Sequence, residues 1–334
     1  MTTTKKVLPF YIILLIAFIF LLGTFILAGL FGAADVSLRD VYKAIFTRET
    51  STQINLLREI RIPRIIGAML VGASLGVAGA IMQGLTRNPL VDPGLLGLTA
   101  GASLALALTL ILYPNANTFI IMIFCFLGAL SGTILVLSLG ISKRGFSPYR
   151  LVLAGVCVTT LLTAITEGLG IHFRISKHLS MWTSGGLVGT TWKQLQVIGP
   201  LIIICLILAV FLARELTILS LSEEVAIGLG QKTARIKMLL LLVTVILAGA
   251  SVALVGNIAF LGLMIPHFAR YIAGPDYRRI IPTTIIIGAS FMCLVDLLGR
   301  TINAPYETPV VSLIAIMGLP FFLLIMRKGV KGWS

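Results

Sequence analysis

Long stretches of the chain carry almost no polar side chain, and short polar segments punctuate them at near-regular intervals. A run of about 18 or more apolar residues can cross the roughly 30 Å hydrocarbon core as a helix. A helix satisfies its own backbone hydrogen bonds, which lipid cannot do. The pattern predicts helices at 8–32, 63–84, 94–112, 118–140, 150–171, 195–213, 234–254, 257–270, 280–301 and 307–327. The stretch 257–270 is too short to cross alone and contains Pro266, so it is expected to be a half-span buried in protein. No series of short alternating segments marks a transmembrane β-barrel. The expected fold class is all-α: a polytopic transmembrane helix bundle, one domain over 1–334, with about ten spanning helices.

Composition agrees with this pattern. Hydrophobic residues make up 58% of the 334 and charged residues 11%, against roughly 45–50% and about 25% in soluble chains. The net charge of +14 would suggest nucleic acid in a soluble protein. Here the cations sit in short loops, so no nucleic-acid partner is expected and the lipid bilayer is. Lys5 and Lys6 precede an apolar run reaching about Phe31, longer than the usual 7–15-residue core of a signal peptide, so it reads as an uncleaved first helix. Cys125, Cys157, Cys205 and Cys293 all lie in apolar runs without a CxxC pair, and read as packing residues.

Ten spans put both termini on one side, and positive charge chooses that side. With the termini inside, 16 of the 26 cations fall in inner segments and 10 in outer ones, so both termini are expected in the cytoplasm. Six outer cations crowd into 39–64 and oppose the trend: Arg39, Lys43, Arg48, Arg58, Arg61 and Arg64.

Small residues recur at helix-packing spacing, at Gly72 and Gly76, Gly97 and Gly101, and Gly128 and Gly132. They predict closely packed helices, since glycine lets backbones approach where no hydrophobic drive operates. Residues 72–81 (GASLGVAGAI) echo 249–258 (GASVALVGNI), with Pro89 and Pro266 following at the same offset. A true repeat would fit a pathway between two halves; a chance match of glycine-rich segments is the equal alternative.

Catalytic patterns are missing. There is no GxxxxGK[ST] loop, no HExxH and no Ser-His-Asp set, so neither an enzyme nor a cofactor site is expected. His172, His178 and His267 are scattered. Glu167 and Asp296 are the plausible intramembrane carboxylates, and Arg300 four residues after Asp296 suggests a local helical pair. An ion-coupled carrier would show more such groups.

The segment 220–237, SLSEEVAIGLGQKTARIK, interrupts the membrane pattern on the inner side. Ser222 can cap a helix, and Glu223 and Glu224 suit its positive end. Val225, Ala226, Ile227 and Leu229 are apolar, while Gly228 and Gly230 can end the turn. The result is a short amphipathic helix, either a solvated connector or a docking helix for a cytoplasmic partner.

Several stretches resemble permeases of the iron–siderophore and vitamin B12 ABC importer family (FecCD type). They are Arg61-Ile-Pro-Arg64, the run GAMLVGASLGVAGAIMQGLTRNPLVDPGLLG over 67–97, the segment around Glu224-x-Ala226-x-x-Leu229-Gly230, FLGLMIPHFAR over 260–270, and Glu307-x-Pro309 leading to GLPFF over 318–322. They spread from about 55 to 325.

The resemblance implies ten helices per subunit and a second permease subunit, identical or related, around a central pathway. It also implies two cytoplasmic ABC ATPase subunits, an extracytoplasmic substrate-binding protein and a place in the bacterial cytoplasmic membrane. It assigns coupling to the ATPase to Ser222, Glu223, Glu224, Ala226, Gly228, Leu229 and Gly230, within about 220–232. It assigns binding-protein docking to Arg61, Arg64 and Arg300, whose planar forks suit carboxylates. The cargo it implies is an iron(III)–siderophore, with heme or cobalamin as alternatives. Iron arriving inside its chelator needs no protein ligands, so no metal site is expected.

Overall fold

The computed structural model describes residues 9–32, 36–142, 145–146, 148–304 and 306–328. Lys5, Lys6, Lys143, Arg144 and Lys331 of the inner cation set lie outside them. The helices are α1 (Phe10–Leu30), α2 (Leu38–Phe46), α3 (Thr52–Leu56), α4 (Ile62–Thr86), α5 (Leu98–Leu112), α6 (Thr118–Gly140), α7 (Pro148–His172), α8 (Ser176–Thr183), α9 (Trp192–Phe211), α10 (Ala213–Leu221), α11 (Glu223–Gly228), α12 (Thr233–Val255), α13 (Leu261–Ala273), α14 (Tyr277–Thr301) and α15 (Val310–Lys328). A two-residue hairpin, β1 (Ile141–Ser142) with β2 (Gly145–Phe146), links α6 to α7.

Every predicted span has its helix. Among the described residues, seven helical stretches are long and apolar enough to cross a membrane. Of the remaining predicted spans, α5 and α13 fall short of that length. The 15 residues of α5 reach only about 22 Å at 1.5 Å per residue, and a 3₁₀ turn over Pro93–Leu96 leads into it. The 13 residues of α13 match the expected half-span, and Pro266 lies inside it.

The outer basic segment is more ordered than a loop. Ser37 and Asp40 form a reciprocal capping box that starts α2. Ser51 caps α3, and a π-helical turn over Leu57–Arg61 joins α3 to α4 in one stretch running from Thr52 to Thr86. The sequence had placed the helix start at 63. Arg58 and Arg61 therefore stand on helix rather than in a loop, as Arg64 was expected to. Arg58 donates to the carbonyls of Ala44 and Thr47 at the end of α2, at 3.2 Å and 2.8 Å.

The bundle is organised around α4. In its hydrophobic window 83% of residues are buried, against 11% for α1, whose Leu15, Ile16, Phe18 and Ile19 face outward. The glycine motifs make close helix contacts. Gly97 and Gly101 of the α5 segment lie on Gly128 and Gly132 of α6, and a Cβ on Gly101 would overlap the Gly128 carbonyl. Gly72 meets Gly288 of α14 in the same way. The two echoing segments fold differently: 72–81 lies within α4, whereas 249–258 runs off the end of α12 at Gly256, where φ is +81°.

Candidate functional site

The expected site residues lie at opposite ends of the bundle. At the end where α4 begins, Arg61 and Arg300 meet the last turn of α1, and Arg64 shares Asp296 with Arg300. Arg61 donates through Nη1 to the carbonyls of Gly29 and Leu30, at 2.9 Å and 3.3 Å. Arg300, in the last turn of α14, donates through Nη2 to the Ala28 carbonyl at 3.3 Å. Both guanidinium groups meet carbonyls that a helix C-terminus leaves unpaired.

Arg64 binds two carboxylates. Its Nε donates to Asp296 Oδ1 at 2.9 Å. Its Nη1 and Nη2 donate to Glu307 Oε1 and Oε2 at 2.6 Å and 2.9 Å, a bidentate pair. Asp296 also holds Arg300, with Oδ2 3.1 Å from Nε. That distance makes an ion pair, although the alignment does not make a hydrogen bond. The cluster thus sets two cations, Arg64 and Arg300, against two anions, Asp296 and Glu307. Charge balance of this kind keeps buried ions tolerable.

The expected pairing of Asp296 with Arg300 is present. The larger network was not anticipated, because Arg64 and Glu307 are 243 positions apart. Glu307 was expected to open the last helix, but α15 starts at Val310 and leaves Glu307 in the linker after α14. The three arginines are 5–8% exposed and Asp296 1%. The Glu307 side chain is 40% exposed, and the Arg64 guanidinium holds its carboxyl below the usual glutamate range. Glu167, the other intramembrane carboxylate considered, is exposed on α7.

At the opposite end α11 forms as its sequence suggests. The Ser222 hydroxyl accepts the Val225 N–H at 3.0 Å. Gly230 takes a φ of +77° and turns the chain toward α12. Ala226 is fully buried, whereas Val225, Ile227 and Leu229 are 45%, 58% and 67% exposed. Glu224 is exposed, and Gly228 faces open space. Glu223 turns inward to Lys237 of α12, at 2.6 Å, and this bond holds its carboxyl below the usual range. The Gln231 amide donates to the Glu215 carbonyl at 3.0 Å, tying the same turn to α10. Thus α11 is capped, anchored on both sides and apolar on its free face.

Between the two ends lies a cavity of about 340 Å³ walled by α5, α7, α8 and α12. Asp92 with the start of the 3₁₀ turn at 93–94, and the non-helical stretch 257–259, reach into it. Thr99, Ser103, Thr159, Thr163, Thr183 and Asn257 put hydroxyl and amide groups on its wall, together with the Asp92 carboxylate. Asp92 accepts the Gly94 N–H at 2.7 Å. Its lining among the described residues holds no Lys, Arg or His. Irregular backbone at membrane depth is tolerated where it lines a cavity.

Comparison with known proteins gives this architecture a family. The chain is 41% identical over 313 residues to the iron(3+)-hydroxamate import system permease protein FhuB of Bacillus subtilis (strain 168), covering 93% of this chain and 81% of that one. It is 38% identical over 307 residues to the iron-uptake system permease protein FeuB of the same organism, covering 91% and 92%. A solved metal-chelate type ABC transporter in an inward-facing conformation superposes with a TM-score of 0.84 at 27% identity, covering 95% of this chain and 99% of that one. The FecCD transport family matches residues 13–328, and the chain is a membrane-embedded permease that belongs to that family.

Proposed function

We propose that the chain is the pathway subunit of an importer that brings an iron(III) chelate of the hydroxamate siderophore class into the cell. ATP hydrolysis takes place on partner ABC ATPase subunits. The observation that carries this reading is α11: a capped, doubly anchored helix whose exposed Val225, Ile227 and Leu229 are uncovered among the described residues. An apolar helix face on a rigid mount suits insertion into a groove of a soluble partner. The ATPase end is cytoplasmic in this reading, as are both termini, and a second permease subunit completes the pathway.

The arginine end then faces the extracytoplasmic binding protein, with Arg61, Arg64 and Arg300 as its docking residues. Opposite charges at such a surface raise the association rate and set orientation. The cavity beside α7 and α12 belongs to the pathway, and its hydroxyl groups suit a chelate that presents carbonyl and hydroxyl oxygen. The likeness to hydroxamate and iron-uptake permeases supports the cargo.

Uptake of radiolabelled ferric siderophores, heme and cobalamin by a deletion strain under iron limitation tests it. Loss of ferric hydroxamate uptake, restored by the gene, is expected. Normal entry of every ferric siderophore with failure of cobalamin or heme alone would overturn the cargo assignment.

A further inference from the structure

We propose that Glu307 is a place-holder: in the free permease it occupies the edge of Arg64 that a carboxylate of the docked binding protein takes over. The inference rests on the docking role proposed above for Arg64.

The guanidinium has two edges in use, and they differ. One edge faces Asp296, which is 1% exposed, belongs to α14 and is shared with Arg300. The other faces Glu307, whose side chain is 40% exposed and sits on the linker between α14 and α15. That linker is tied back through the Thr308 N–H, which donates to the Gly299 carbonyl at 2.9 Å. One carboxylate is therefore fixed in a helix and sealed, and the other is reachable and carried by irregular backbone.

Arg64 itself is 8% exposed, and Nε, Nη1 and Nη2 all donate within the chain. An incoming carboxylate finds no vacant edge, so it binds Arg64 by displacing one already there. Displacing Asp296 would strip Arg300 as well and leave two buried cations without their shared anion. Displacing Glu307 exchanges one carboxylate for another. The balance of two cations and two anions survives, and Glu307 regains its hydration as it leaves, which offsets the desolvation of the incoming carboxylate. Exchange also releases the α14–α15 linker, so docking at this end is reported to α15.

The experiment uses the assembled transporter, permease with its ATPase subunits in lipid nanodiscs, and the ligand-loaded binding protein. The Glu307→Gln variant keeps the size of the side chain and removes the competing charge. It is expected to bind the binding protein about tenfold more tightly, the scale of one charge-assisted hydrogen bond. Glu307→Asp, which keeps the charge, should stay close to the unaltered protein. Arg64→Gln should weaken binding.

Unchanged or weaker binding by an intact E307Q assembly overturns the exchange. If R64Q weakens binding while E307Q does not tighten it, the exchange falls and the docking role stands. If R64Q binds as before, the docking role falls and takes the exchange with it. A second readout leaves the Arg64–Glu307 pair unaltered. A nitroxide label at Tyr306→Cys, a position 74% exposed, in a chain whose exposed Cys157 is replaced by Ser, should gain mobility when binding protein is added. A spectrum that does not change would contradict displacement of the linker.

Discussion

Asp296 anchors both Arg64 and Arg300 from a position almost sealed from solvent. Removing its charge would leave two neighbouring cations facing each other. Asp296→Asn is therefore expected to cost about 3–5 kcal/mol, the usual effect of breaking a buried pair from one side. Thermal unfolding of the purified permease in detergent would register this as a large fall in midpoint, and an unchanged midpoint would count against the network. Glu307 gives a pH signature. Its carboxyl titrates below the usual range because it accepts from Arg64. A carboxyl lowered on folding stabilises fully above its unfolded value, about 4.3 for glutamate, and the gain is lost as pH falls through the lowered value. Protection of the Thr308 amide against hydrogen exchange should thus persist through mildly acidic pH and fail only in stronger acid. Asp296 with Arg300 was legible as a spacing of four. Glu307 was visible only as a motif residue, because nothing local announces a partner 243 positions away.

At the scale of elements, α11 separates anchoring from display. Ser222, Ala226, Glu223 and Gly230 hold it, while Val225, Ile227 and Leu229 are offered. Replacing Ile227 and Leu229 together with Asp should leave the permease folded and reduce retention of the ATPase subunits by about tenfold or more, as expected for central apolar anchors. Co-purification measures this directly. Lys237→Met should act differently, because it breaks the strut from α11 to α12 and leaves the display intact. ATPase subunits should still bind, but ATP hydrolysis should no longer drive uptake at the unaltered ratio. Equal coupling ratios would make that ion pair dispensable. The helix over 223–228 could be read from its cap, its carboxylates and its glycines. The helical character of 39–61 could not be read from hydropathy, since five cations mask it. Its local signals are the caps, Ser37 with Asp40 and Ser51.

Across the whole molecule, apolar run length located every spanning helix, because lipid imposes a minimum length and forbids unpaired backbone. The same rule could not say which helices are central. That order follows from glycine contacts such as Gly72 on Gly288 and Gly101 on Gly128, which depend on how distant segments meet. A Leu at Gly101 is expected to separate α5 from α6 and destabilise the bundle by about 1–3 kcal/mol or more, as overpacking does. The cavity was also beyond reach of the sequence. Its wall joins Thr159 and Thr163 of α7 to Ser103 of α5 and Asn257 after α12, with the same small residues that elsewhere only pack.

In the proposed assembly this chain forms a pathway opened by ATPase partners and supplied by a binding protein. Reconstitution into proteoliposomes tests it most directly, by following a radiolabelled ferric hydroxamate with each component omitted in turn. Uptake should require the permease, the ATPase subunits, ATP and the loaded binding protein together. Uptake by the permease alone, driven by an ion gradient without ATP, would contradict the account.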